Sequence, residues 1–117
     1  MNRKELEDHL LQFPNTKLDY PFGEDVAVYK VQTNNEWKMF ALISEKHDPI
    51  RLSLKCAPEL AIKLREEYES VQEGYHLNKK HWNTIIMTGQ LSNDEVEALI
   101  LHSYNLVIGS HAGTPDM

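Results

Sequence analysis

Apolar residues near both ends of the chain recur at the three- and four-residue spacing of an amphipathic helix. Each of these two segments opens with a capping-box pattern, in which a polar cap residue is followed three positions later by Glu. The pattern is Asn2 with Glu5 in the first segment and Ser92 with Glu95 in the last. We therefore predict one helix that stops before Pro14 and another that ends at Gly109.

A further apolar stripe follows Pro58, which suits a first helical position because its missing N–H would have no helical partner there. The stripe consists of Leu60, Ala61, Leu64, Tyr68 and Val71. Its spacing predicts a central helix that extends to the neighbourhood of Gly74.

Three strand-like segments lie between the first two predicted helices. Residues 26–31 are rich in β-branched and aromatic side chains, residues 37–43 resemble them, and residues 50–55 alternate apolar with polar. The turn at residues 33–36 contains two asparagines, which tolerate the left-handed conformation. Because the connections are short, these segments favour an antiparallel meander.

Residues 75–77 and 82–88 predict a second hairpin, with Asn78, Lys79 and Lys80 at its polar tip. The predicted order is therefore α-βββ-α-ββ-α. One apolar sheet face and three amphipathic helices are most simply satisfied by a two-layer α/β sandwich of the α+β class. We expect its antiparallel sheet to contain about five strands.

The length and composition of the chain limit its organisation. A chain of 117 residues has the usual size of one domain, and we predict one domain over residues 1–109 with a disordered tail at 110–117. No apolar run approaches the roughly 18 residues that cross a bilayer, and no signal-peptide pattern is present. The single cysteine, Cys56, cannot form an internal disulfide. These features favour a cytoplasmic protein.

Residues 15–25 contain Pro21 and Gly23 and are predicted to form a loop. The run Tyr20-Pro21-Phe22-Gly23 supplies rigid aromatic surface that could gate a pocket. The simpler expectation is a turn that tucks one ring over the edge of the sheet. Trp37 and Trp82 are likewise expected in the core or at its rim.

The charge of the chain is unevenly distributed. A net charge of −6 argues against non-specific nucleic-acid binding, which normally needs a basic surface. However, residues 74–93 contain no Asp or Glu and include Lys79 and Lys80. A second basic stretch includes Arg51 and Lys55. The overall sign is therefore a poor guide to any one face.

Several sequence motifs together resemble the MmcQ/YjbR family over residues 6–108. They are Tyr20-Pro21-Phe22-Gly23, Lys38-Met39-Phe40-Ala41-Leu42, Leu54-Lys55-Cys56-Ala57-Pro58, Gly74-Tyr75-His76-Leu77-Asn78-Lys79-Lys80-His81-Trp82-Asn83-Thr84, the helix start from Ser92 to Glu95, and Ser103-Tyr104-Asn105-Leu106-Val107. The resemblance implies a small bacterial α/β two-layer fold similar to secretion-chaperone and frataxin-like architectures. It also implies DNA binding through a double-wing arrangement of hairpins. The net charge of −6 is unusual for a protein that gains affinity from phosphate contacts.

The second predicted hairpin is the candidate nucleic-acid-binding surface. We expect the lysines to contact phosphates and the His and Asn side chains to hydrogen-bond to backbone or base edges. The candidate residues are Lys55, His76, Asn78, Lys79, Lys80 and Asn83. The alternative is a structural hairpin whose Tyr75 and Trp82 pack on the core and whose lysines are simply solvated.

Patterns typical of enzymes are absent from the sequence, so no enzymatic activity and no cofactor are predicted. Cys56 precedes a predicted helix, whose N-terminus would favour a thiolate, but a lone cysteine beside a strand is more often a small core residue. His76 and His81 lie five positions apart and do not match a zinc-binding spacing, so no metal site is predicted.

Two other functions remain open at this point. The acidic average and the resemblance to secretion chaperones are compatible with a protein-interaction or chaperone-like adaptor that uses a sheet face or edge. A small-molecule pocket bordered by Lys55, Tyr75, His76 and Trp82 is a third hypothesis.

Overall fold

Six strands and three helices form the described part of the chain, which comprises residues 1–74 and 77–109 of the computed structural model. In chain order they are α1 (Arg3–Leu11), β1 (Thr16–Asp19), β2 (Val26–Thr33), β3 (Glu36–Ser44), β4 (Arg51–Lys55), α2 (Pro58–Glu67), β5 (Val71–Glu73), β6 (Trp82–Ile86) and α3 (Asn93–Ile108).

The strands form one sheet in the order β1-β2-β3-β4-β6-β5, and every neighbouring pair is antiparallel. The central helix of the layer, α3, packs across β2, β3 and β4, while α1 packs on β1 and α2 packs on β5 and β6. Side chains from the helices and from one sheet face share the main core. The predicted α+β fold with an antiparallel sheet and three helices is confirmed.

Both predicted capping boxes are present. Asn2 Oδ1 accepts from the Glu5 N–H at 2.8 Å and the Asn2 N–H donates to Glu5 Oε1 at 2.9 Å. The same reciprocal pair joins Ser92 and Glu95 at 3.1 Å and 2.8 Å. At the end of α3, Gly109 adopts the left-handed conformation with φ of 73°, as expected for a glycine C-cap.

The sheet contains one strand more than predicted. Residues 16–19, which were expected to lie in a loop, form β1 and pair with the outer edge of β2 from Thr16↔Val31 to Asp19↔Val28. Leu18 is the one apolar residue in this short strand, so four residues cannot display a period-two pattern. These residues form a strand because the backbone of β2 offers hydrogen-bond partners, which the local sequence does not reveal.

The central helix is shorter than predicted, since α2 ends at Glu67. Tyr68 has an extended backbone, and Val71 lies in β5, where it pairs with Ile85 and is buried. The three- and four-residue spacing of apolar residues predicted that Val71 belongs to the helix. In the structure it instead pairs with the edge of β6 as part of β5. Of the predicted strand at 75–77, Tyr75 and His76 lie outside the described residues, and Leu77 lies outside the strands; the edge strand β5 lies earlier, at Val71–Glu73. The predicted tail at 110–117 also lies outside the described residues.

Three aromatic rings join the two layers. Phe40 of β3 is fully buried and meets Phe13 and Tyr104 edge-to-face, with ring centroids 6.0 Å and 5.4 Å away. Phe13 stacks on Tyr104 at 4.7 Å. Because Phe13 follows α1 and Tyr104 lies on α3, the rings link two helices to the sheet.

The opposite face of the sheet is called the open face here, and it bears Val28, Leu42, Ser53, Trp82 and Thr84. No helix of the described residues packs against it. Val28, Leu42 and Trp82 form a second, smaller apolar cluster, and Leu77 packs against it. Leu77 comes from the loop between β5 and β6 and places this point of the loop against the open face, whereas the Lys79 carbonyl of the same loop accepts from Arg65 Nη1 of α2 at 3.0 Å.

Candidate nucleic-acid interface

The β5–β6 hairpin is organised by backbone hydrogen bonds around Gly74 and Asn78. The Gly74 N–H donates to the Trp82 carbonyl at 3.0 Å, and the Trp82 N–H donates to the Asn78 carbonyl at 3.0 Å. Asn78 Oδ1 accepts from the Lys80 N–H at 2.9 Å. In this structure the Asn78 side chain therefore shapes the turn that presents Lys79 and Lys80.

Lys55 lies at the end of β4, directly beside this hairpin. It pairs with Trp82 in the β4–β6 ladder, and the Cys56 N–H donates to the His81 carbonyl at 2.7 Å. Because β4 runs antiparallel to both β3 and β6, one end of the sheet contains the start of β3, the end of β4 and the start of β6. Lys55 and the tip of the hairpin are thus brought to the same end.

A buried hydroxyl on α3 fixes the position of Lys55. Ser103 Oγ accepts from the Lys55 N–H at 2.9 Å and donates to the Phe40 carbonyl at 2.6 Å. The β3–β4 ladder ends at Ala41↔Leu54, so Ser103 continues the connection between the strands after the ladder stops. The backbone of Lys55 is therefore anchored to both the sheet and α3.

The three candidate lysines have different electrostatic surroundings. Lys79 Nζ lies 3.8 Å from Glu73 Oε1, and both side chains are more than half exposed. Lys80 is exposed and Lys55 is half-buried, and neither forms an ion pair with a described residue. An exposed, long ion pair contributes little free energy, so Lys79 can exchange its carboxylate for another anion at small cost.

Asn83 belongs to the other face of the sheet. It is 3% exposed, accepts from Arg65 Nη1 at 2.9 Å and donates to the Ala61 carbonyl at 3.1 Å. These bonds attach α2 to β6, and the side chain does not join Lys55 on the open face. His76 lies outside the described residues.

Arg51 lies on the open face with Lys55 but at the far end of the same strand. The register pairs Arg51 with Ile86 and Lys55 with Trp82. Four residues of strand separate their side chains by about 13 Å. The structure therefore places Arg51 away from the hairpin tip.

The chain matches the family model described as YjbR over residues 11–106. It belongs to the YjbR family. It is 34% identical over 98 residues to the uncharacterised protein YbdF of Escherichia coli O157:H7, covering 84% of this chain and 77% of that protein. It is 29% identical over 116 residues to the uncharacterised protein YyaQ of Bacillus subtilis strain 168, covering 91% and 98%.

Solved structures of similar proteins share the architecture of this YjbR-family chain. A crystal structure of the Deinococcus radiodurans protein DR2400, with a DUF419 domain, gives a TM-score of 0.85 at 34% identity and covers 97% of this chain and 81% of that one. A crystal structure of a Pseudomonas syringae protein gives 0.74 at 33% identity and covers 91% and 98%. The family resemblance stated from the sequence motifs is confirmed.

Sequence analysis missed a second group of open-face residues in this YjbR-family domain. Lys17 on β1 lies with its Nζ 4.3 Å from the ring centroid of Trp37, and Lys30 Nζ lies 3.1 Å from Asp19 Oδ2. Trp37 is 40% exposed, in contrast to the expected place in the core or at its rim. Recognising the strand at 16–19 would have placed Lys17 on this face.

Cys56 is buried, and burial raises the pKa of its thiol to about 11, although nearby Arg65 acts in the opposite direction. The thiol is therefore protonated at neutral pH, whereas the nucleophilic form is the thiolate. Burial also lowers the pKa of His102, whose Nε2 accepts from the Ala57 N–H at 3.2 Å. Within residues 1–74 and 77–109 no cluster of three potential metal-binding side chains occurs.

The aromatic loop after β1 differs from expectation. Phe22 is 63% exposed and does not tuck over the sheet edge, while the Tyr20 hydroxyl donates to Glu45 Oε2 at 3.2 Å. Gly23 has a φ of 106°, which turns the chain back towards β2 and leaves the Phe22 ring outside.

Two cavities in the structure differ in the size of ligand that they could hold. The one that touches Lys55 and Cys56 has a volume of about 10 Å³, which is room for about one water molecule. A larger one of about 230 Å³ lies between β6 and the start of α3.

Among the helices of the described residues, none has the length and apolar character needed to span a bilayer.

Proposed function

We propose that this YjbR-family protein binds double-stranded DNA at the end of the sheet where Lys55, Lys79 and Lys80 lie. The observation that carries the proposal is the pairing of Lys55 with Trp82, which brings this lysine beside the hairpin tip. Lys55 and Lys80 have no carboxylate partner among the described residues, so both ammonium groups can serve phosphates without losing an ion pair.

The net charge limits the expected strength of binding. With a total charge of −6, the protein gains no long-range attraction to DNA from its average field. Binding therefore depends on local contacts, and three lysines neutralise about three phosphates. Such a site has modest affinity and a log–log salt slope of about −3. A free, buried Cys56 agrees with action in the reducing cytoplasm, where we place this function.

Replacement of Lys79 and Lys80 together by Ala tests this proposal. Between 50 and 200 mM salt, the affinity of the unaltered protein for a duplex should fall about 40-fold, and that of Lys79→Ala/Lys80→Ala about fourfold, because two of three counterion-releasing contacts are lost. Fluorescence anisotropy of a labelled duplex measures both.

The matched control is Lys4→Ala/Lys46→Ala, which removes the same charge from exposed lysines on α1 and on the β3–β4 turn. It should keep the full salt dependence. Binding that is absent, insensitive to salt, or reduced equally by both double variants would overturn the proposal.

A second candidate function, a protein-binding adaptor, is favoured by one observation. Phe22 presents most of its ring to solvent beside the partly exposed Tyr20, on a loop braced by the Tyr20–Glu45 hydrogen bond. Aromatic residues are typical anchors of protein interfaces.

The adaptor hypothesis predicts a partner that is captured from nuclease-treated extract by the unaltered protein and lost with Phe22→Ser. A serine on this exposed loop should leave stability within about 0.5 kcal/mol, so lost capture would report the surface. Equal capture by both proteins would exclude Phe22 as the anchor, and loss on nuclease treatment would favour DNA.

A further inference from the structure

The two tryptophans of the chain differ in their exposure to solvent. Trp37 lies on β3 beside the β2–β3 turn, pairs with Gln32 and is 40% exposed, whereas Trp82 is 8% exposed within the apolar cluster. Asn34 and Asn35 in the turn are both left-handed, with φ of 51° and 65°, as in a tight two-residue hairpin turn. The indole thus lies beside a tight hairpin turn, at the same end of the sheet as Lys55.

The ammonium group of Lys17 faces this ring. Lys17 Nζ is 4.3 Å from the ring centroid, and Lys17 forms no ion pair with a described residue. Its cross-strand neighbour Lys30 is already matched to Asp19 at 3.1 Å. Lys17 therefore holds a positive charge directly beside an exposed aromatic face, and Asp19 is near enough to interact with it electrostatically.

We propose that Trp37 and Lys17 form a stacking site for an unpaired base of single-stranded DNA, an inference that rests on the proposed function and extends it to the open face. Stacking of a base on an aromatic ring contributes about five- to hundredfold in affinity, while an exposed ammonium–ring contact contributes about two- to fivefold. The base therefore displaces the ammonium from the ring. Lys17 then pairs with the phosphate of the same nucleotide.

The neighbouring charges suit a polynucleotide rather than an isolated base. Lys55 lies on the same face as Trp37. Along the strand direction the two residues are three residues apart, which corresponds to about 10 Å. A backbone that leaves Trp37 can thus reach Lys55 with its next phosphates. Asp19 on this face is already paired, so it offers little repulsion.

The two tryptophans allow a direct test with a ten-residue oligothymidylate. Binding should quench the emission of the unaltered protein. Trp37→Phe should keep affinity within about threefold, since a phenyl ring still stacks, but should show no quenching because only buried Trp82 remains. Trp37→Leu should weaken binding of the oligonucleotide about tenfold and alter duplex binding less than threefold. Lys17→Gln should lower the salt slope by about one.

Each outcome separates this inference from the proposed function. If the oligonucleotide binds equally well to Trp37→Leu, or not at all, while duplex binding still depends on Lys79 and Lys80, the stacking site is overturned and the proposed function stands. Trp37-dependent oligonucleotide binding without duplex binding supports the stacking site and overturns the duplex proposal. Absence of both kinds of binding overturns both.

Discussion

Replacing Phe40 by Ala should lower the free energy of unfolding by about 3–5 kcal/mol. The ring is fully buried and meets Phe13 and Tyr104 at 6.0 Å and 5.4 Å. Its removal leaves a cavity between α1, α3 and the sheet, and it also removes two aromatic contacts. The total stability of a domain is about 5–15 kcal/mol, so this loss is a large share of it.

Urea denaturation followed by circular dichroism measures this effect. The matched control is Phe22→Ala, the same substitution at a ring that is 63% exposed, which should change stability by less than about 0.5 kcal/mol. A loss below about 1 kcal/mol for Phe40→Ala would mean that the helices do not depend on the three-ring cluster.

Gly74→Ala should destabilise the protein by about 1–3 kcal/mol and should displace the β5–β6 hairpin. A Cβ at this position would lie 2.7 Å from Trp82 Cβ and 3.2 Å from both Leu77 Cβ and the Trp82 carbonyl oxygen. These atoms belong to or adjoin the backbone, so they cannot rotate away as a side-chain end can. The hydrogen bond from the Gly74 N–H to Trp82 must therefore lengthen.

The altered hairpin should also reduce duplex affinity under conditions in which the variant remains folded, because Lys79 and Lys80 follow the displaced loop. Denaturation midpoints and anisotropy titrations measure the two effects. Gln72→Ala, an exposed position on the same strand, should leave both unchanged. Native stability together with native duplex binding in Gly74→Ala would contradict the tight approach of the loop to Trp82.

The position of the candidate site could be predicted only in part. The hairpin with Asn78, Lys79 and Lys80 at its tip is evident from the pattern, because polar turn residues separate apolar segments. Unlike the hairpin, the sheet face on which Asn83 lies could not be predicted from the local pattern, because it depends on where the β4–β6 ladder begins. A shift of one residue in that register would move Asn83 to the open face.

Several individual elements of the fold follow from the local sequence. Capping boxes at Asn2 and Ser92, the asparagine turn and the proline at the start of α2 are local, since each joins residues a few positions apart, and the sequence alone predicts them correctly. They determine where the helices begin and where β2 turns into β3.

Only the tertiary structure decides the elements that need a distant partner. The four residues of β1 become a strand because β2 offers a free edge, and Val71 leaves the helical stripe because β6 does the same. The ammonium of Lys17 reaches Trp37 because β2 lies between their strands and holds them at a fixed spacing. Hydrogen bonds across a sheet join residues far apart in the chain, so no local pattern encodes them.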